Sequence, residues 1–285
     1  MTESSPDTLI ARLEGVLKRL EMLLPCPAVA PDWDAAVAWR WRSGGLHAIL
    51  KPHAVRLSDL QAMEEQRDRV TENTRRFVQG KPANNVLLTG ARGTGKSSLV
   101  KAQLTEFASQ GLRLLEMDRD HLVDLPELLE MVTGRPERFI LFCDDLSFEA
   151  GESGYKALKS LLEGSVAAPS DNLLVYATSN RRHLMPEFLS ENLEARHENG
   201  EIHPGESTEE KISLSDRFGL WISFYSFDQE DYLTIAAHWV NVLGGQQGDP
   251  ELFRREALQW ALSRSSRSGR SAWHFARDWI GRSAP

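Results

Sequence analysis

Between Gly90 and Ser98 the chain reads GARGTGKSS, which sets a glycine, four residues, a second glycine, a lysine and a hydroxyl residue in the spacing G-x-x-x-x-G-K-[ST]. These residue types at this spacing hold a row of phosphates. Glycines let backbone N–H groups close around a polyanion with no side chain in the way. Gly90, Ala91, Arg92, Gly93, Thr94, Gly95 and Ser98 are therefore the candidate cradle. Lys96 has the length to meet the β- and γ-phosphates, and Ser97 offers a hard oxygen to Mg2+. A helix starting here would add the positive end of its dipole. The implied ligands are ATP and Mg2+.

A second acidic site is written in RFILFCDDLSF, where an apolar run ends on Asp144 and Asp145. Two adjacent like charges repel, so a reason for keeping both is needed. A metal ion beside Asp144 would offset one charge, and a water facing Asp145 would use the other as a general base. The plainer alternative makes one of them a helix cap. Downstream, YATSNRRHL ends another apolar run on Asn180, a neutral amide suited to orienting a water between γ-phosphate and carboxylate. Arg217, in SLSDRFGL, is either the ion-pair partner of Asp216 or another acid, or an arginine finger reaching across a subunit boundary. Arg270 opens the last helical pattern; it either reaches back to the γ-phosphate or belongs with Arg264 and Arg267 to a solvated basic loop or nucleic-acid patch.

The elements that must position these groups follow from apolar runs. NVLLTG at 85–90, LRLLEM at 112–117, FILFCDD at 139–145, NLLVYATSN at 172–180 and LWISFYSF at 220–227 are short and lack strict alternation, the pattern of strands covered on both faces. Helical periodicities lie between them, giving an α/β fold with helices on both sides of a five-stranded parallel sheet. Leu9, Ile10, Leu13, Val16, Leu17 and Leu20 recur at helical spacing and place a helical region over 1–54. The αβα nucleotide-binding unit then spans 55–228, and a helical lid with breaks at GGQQGDP and RSSRSGR spans 229–285. Trp39 and Trp41 in WRWRSG are read as packing residues, the alternative being a stacking platform for bases. The glutamate-rich stretch between Arg181 and Ser215 reads as a solvated loop.

A net charge of −8 gives no general attraction to nucleic acid or an anionic membrane. Two cysteines, one inside an apolar run, fit a reducing cytoplasm, and no apolar segment has the length of a membrane span.

Taken together, NNVLLTGARGTGKSSLVKA, FILFCDDLSFE, YKALKSLLEG, YATSNRRHL and KISLSDRFGLWISFYSFDQEDYL resemble the AAA+ ATPases, and within them the group known as domain of unknown function 815, over roughly residues 50–285. The resemblance implies ATP hydrolysis, a homo-oligomer, commonly a ring, with ATP at subunit boundaries, and remodelling of a macromolecular partner; the acidic net charge and the ATP-facing use of Arg270 favour a protein over a nucleic acid as that partner. It further implies that VRLSDL lines the adenine pocket through Val55 and Leu60, that Asn180 is the first sensor, Arg217 the finger and Arg270 the second sensor. Arg181 and Arg182 rival Arg217 as the trans-acting arginine. One departure stands out: most active relatives carry Asp-Glu where this chain has Asp144-Asp145, and the shorter side chain loses roughly 1.5 Å of reach. That shortfall makes an ATP-binding switch or assembly scaffold, with little turnover, the alternative function.

Overall fold

A computed structural model describes residues 31–148, 152–163, 171–180, 184, 196–198, 201–203 and 214–283. The expected helix near the N-terminus, Arg181 and Arg182 lie outside the described residues.

Among the described residues a seven-stranded sheet forms the middle layer, in the order β2-β1-β4-β5-β6-β3-β9. Its strands are β1 (Ala38–Arg42), β2 (Gly45–Ala48), β3 (Val86–Gly90), β4 (Leu112–Glu116), β5 (Arg138–Cys143), β6 (Leu173–Ser179) and β9 (Leu220–Phe224). All neighbours pair in parallel except β1 with β2. The five expected strands are β3, β4, β5, β6 and β9; the sheet is larger than expected by a hairpin. That hairpin also corrects the helical reading of residues 1–54, because 38–48 belong to the sheet. The physical cause is an alternation of period two: Trp39 and Trp41 are fully buried on one side, while Arg40 between them reaches Glu116 at 2.6 Å. Ser43 and Gly44 at the hairpin tip both have positive φ, 49° and 74°, as a two-residue type I′ turn requires. The packing role of the two tryptophans holds: Trp39 meets Trp33 edge-on at 4.9 Å, and the Trp41 indole N–H donates to Asp124 at 2.8 Å.

Two apolar layers cover the sheet. On one side Val86, Leu88, Ile140 and Phe142 pack against α1 (Glu64–Val78), α2 (Lys96–Phe107) and three C-terminal helices, α5 (Gln229–Val242), α6 (Pro250–Ser263) and α7 (Gly269–Ser283). On the other, Leu87, Leu141, Cys143 and Val175 pack against α3 (Leu125–Val132) and α4 (Ser153–Glu163). Burial on both faces is why these strands read as unbroken apolar runs. Two more short strands, β7 (Arg196–Glu198) and β8 (Glu201–His203), pair antiparallel within the stretch read as a loop.

The C-terminal helices begin where polar side chains satisfy their free N–H groups. Asp228 and Asp231 form a reciprocal capping box on α5, with the Asp231 N–H donating to Asp228 at 2.8 Å. Asp249 caps α6, with Pro250 at its first turn, and the Ser268 hydroxyl accepts from the Ser271 N–H at 3.2 Å at the start of α7.

Candidate functional site: a phosphate loop at the ends of four strands

Parallel register brings the carboxyl ends of β3, β5, β6 and β9 to one edge of the sheet. Thr89 lies beside Ser179, Cys143 beside Ala177 and Gly90 beside Phe224. Ligands of open α/β sheets bind at such an edge. The phosphate loop leaves β3 there and enters α2, whose first turn carries no side-chain cap; Gly95 precedes it in the left-handed conformation, φ 97°. Its N–H groups are thus left for an anion. Inside the loop the Thr94 hydroxyl donates to the Ala91 carbonyl at 2.8 Å and fixes the turn.

Lys96 is 5% exposed, and its ammonium donates to the carbonyls of Gly90 (2.8 Å) and Ala91 (2.7 Å) and to Asn180 Oδ1 (3.1 Å). Burial pushes its pKa below the ordinary lysine value, while the carboxylates of Asp145 and Asp144 act in the opposite sense. The Ser97 hydroxyl donates to Asp144 Oδ1 at 2.6 Å, and the Thr178 hydroxyl donates to the same oxygen at 2.5 Å. Ser97 and Asp144, expected to share a metal, therefore meet although 47 residues separate them.

Asp145 has a positive φ of 51°, uncommon outside glycine and better tolerated by aspartate than by most residues. The turn is held by its own N–H, which donates to Thr178 Oγ1 at 2.9 Å. Its carboxylate accepts from Asn180 Nδ2 and lies 3.8 Å from the Arg92 guanidinium. Asn180 thus links both halves of the site, its oxygen on Lys96 and its amide nitrogen on Asp145. A cleft of about 370 Å3 is lined by Arg92, Asp145, Ser147, Ser179 and Asn180.

The C-terminal helices close on the loop from another direction. The Gly269 N–H donates to the Gly93 carbonyl at 2.8 Å. A Cβ on Gly93 would stand 2.8 Å from Ser268 Cβ and 3.7 Å from Arg270 Cβ. Arg270 is exposed and thus begins next to the phosphate loop. Val55 and Leu60 are buried in the core, 6% and 5% exposed. The accessible surface following them is a second cleft of about 200 Å3, whose lining includes Ala62, Met63, Gln66, Phe224 and Phe227. Met63 also covers the loop, its Cε 2.5 Å from where a Cβ on Gly95 would lie. Arg217, in contrast, pairs with Glu163 at the C-terminus of α4.

Sequence reading brought Lys96, Ser97, Asp144, Asp145 and Asn180 to one place, and the structure does the same. Sequence reading places Thr178 at the same sheet edge without a role for its hydroxyl, and does not single out the side chain of Arg92, or Met63 and Ser268 against the loop glycines. Thr178 is placed there because TSN closes the strand that delivers Asn180. Met63 and Ser268 come from distant segments and left no local trace.

This order of strands, with a phosphate loop after β3 and acids after β5, defines the P-loop AAA+ fold. Solved structures similar to this chain bear that out. Two variants of Thermotoga maritima RuvB superpose with TM-scores of 0.53, at 15% and 14% identity, covering 78% of this chain and 63% of theirs. The Aeropyrum pernix ORC1 protein in complex with DNA superposes with a TM-score of 0.52 at 14% identity, covering 75% of this chain and 58% of its own. The chain thus spans less than two thirds of the length of these structures. Among curated proteins none has a matching sequence. Within the AAA+ class the chain belongs to the family described as protein of unknown function DUF815, whose model matches residues 34–283.

Proposed function

We propose that the protein binds Mg-ATP at this edge of the sheet, hydrolyses it slowly, and couples the nucleotide state to remodelling of a protein partner. The observation that carries the reading is the Ser97–Asp144 contact at 2.6 Å beside a buried Lys96. A hydroxyl and a carboxylate are the hard oxygen donors that Mg2+ takes, with water filling the remaining positions. Mg2+, when bound, neutralises charge on the β- and γ-phosphate oxygens.

The side chains divide the remaining work. Lys96 turns its ammonium from the Gly90 and Ala91 carbonyls to the phosphates, which offset the cost of burying its charge. Asp145 takes the proton of the attacking water, and Asn180 holds Asp145 and Lys96 in one frame. Arg270 closes over the phosphates as the second sensor, with α5, α6 and α7 acting as the lid. The adenine lies beyond Val55 and Leu60, against the cleft lined by Ala62 and Met63. Arg217 serves a neighbouring subunit in a homo-oligomer; its partner Glu163 holds it in place until that contact forms. A protein partner is favoured over nucleic acid by the net charge of −8 and by the use of Arg270 at the site, even though one similar structure holds DNA.

The switch reading has its own support: Asp145 is one methylene short of glutamate, and both Asn180 and Arg92 engage its carboxylate. Phosphate release by the wild type beside its Lys96→Ala variant decides between them. Turnover well above the variant is expected; tight ATP binding with turnover equal to the variant would leave the switch.

A further inference from the structure

The backbone of residue 92 is all that a phosphate cradle needs, yet the position carries an arginine between loop glycines. Its guanidinium lies 3.8 Å from Asp145, and its side chain lines the 370 Å3 cleft with Asp145 and Asn180. Ser268 stands against Gly93 on the next turn of the loop, and Arg92 lines the cleft. The guanidinium of Arg92 is the cation among the residues that line this cleft. Asp145 is the only carboxylate among the described residues that lines this cleft.

We propose that Arg92 is a γ-phosphate ligand contributed by the same subunit: its guanidinium exchanges between Asp145 and the terminal phosphate, so that the site distinguishes a triphosphate from a diphosphate. The exchange is easy because the Arg92–Asp145 pair is weak, with the two side chains 79% and 58% exposed. A terminal phosphate carries more charge than one carboxylate and accepts two parallel N–H bonds from a guanidinium. Arg92 thereby frees Asp145 for water only when a γ-phosphate is present. The inference rests on ATP as the ligand and deepens that reading.

Calorimetric titration with the nonhydrolysable triphosphate AMP-PNP and with ADP, both with Mg2+, tests it without requiring turnover. Arg92→Ala is expected to weaken AMP-PNP about tenfold, as loss of one charge-assisted contact does, and to change ADP less than about twofold. Arg92→Lys, a point charge without the fork, is expected to recover part of the loss. An unchanged ratio of the two affinities would overturn the proposal. The same substitution made in an Asp145→Ala background is expected to keep its loss; if the loss vanishes there, Arg92 acts only through Asp145 and the proposal fails. Should the wild type bind neither nucleotide, it is the ATP reading itself that falls. Arg92 is exposed, so the variant keeps the fold, which an unchanged melting temperature verifies.

Discussion

At Gly90 and Gly93 the loop passes so close to its surroundings that no side chain fits. A Cβ on Gly90 would lie 1.9 Å from the Phe224 carbonyl oxygen, where φ is already 128°. Gly90→Ala is therefore expected to cost several kcal/mol, on the order of 4, and to lower the melting temperature together with ATP affinity. Lys96 behaves differently. Burial lowers its pKa, so the folded protein disfavours its charged form. At neutral pH this burial is a cost that bound phosphate offsets. Lys96→Met should leave the melting temperature without ATP equal or higher, and should abolish the rise that ATP gives the wild type; a strongly destabilised variant would refute this account of the lysine. Gly90 to Ser98 were legible as a phosphate loop because the motif is contiguous in the chain. The link from Ser97 to Asp144 was legible only through knowledge of how strands in such folds align.

Among the elements, β3, β4, β5, β6 and β9 were readable from sequence because burial on both faces produces unbroken apolar runs. β1 and β2 were not, since Arg40 and Arg42 interrupt the apolar pattern. The missed signal was SG between WRWR and GLHA, a two-residue hairpin turn. Trp39 is fully buried from this strand, and Trp39→Ala should cost about 3–5 kcal/mol, read by chemical denaturation. The central strands also carry a pH prediction. Burial pushes Cys143 on β5 and Tyr176 on β6 up to about 12. Both groups are neutral when buried and ionise more readily once unfolded. Their contribution is thus fully present below the unfolded pKa values of 9.0 and 10.0 and is lost as pH rises towards 12. Denaturation midpoints should fall steeply between pH 9 and 12, with a shallower fall in Cys143→Ala. An identical slope in that variant would contradict the assignment.

On the scale of the whole molecule, the sheet edge gathers the phosphate loop, the acids after β5 and Asn180 into one chain, while Arg217 stands with Glu163. If Arg217 completes a neighbour's site, Arg217→Ala subunits mixed with Asp145→Asn subunits should recover part of the turnover at mixed boundaries. A mixture that assembles and stays inactive would remove that assignment. Among the described residues no helix is long and apolar enough to cross a membrane.

Whether Lys96, Ser97 and Asp144 together hold a magnesium-bound nucleotide is decided by calorimetric titration of ATP into the wild type with Mg2+ and with EDTA, beside Lys96→Ala and Asp144→Asn. Expected are saturable binding by the wild type, a loss of about tenfold or more in Lys96→Ala, and loss of the Mg2+ dependence in Asp144→Asn. Equal affinity in all three proteins, or binding indifferent to Mg2+ in the wild type, would contradict that role of the three residues.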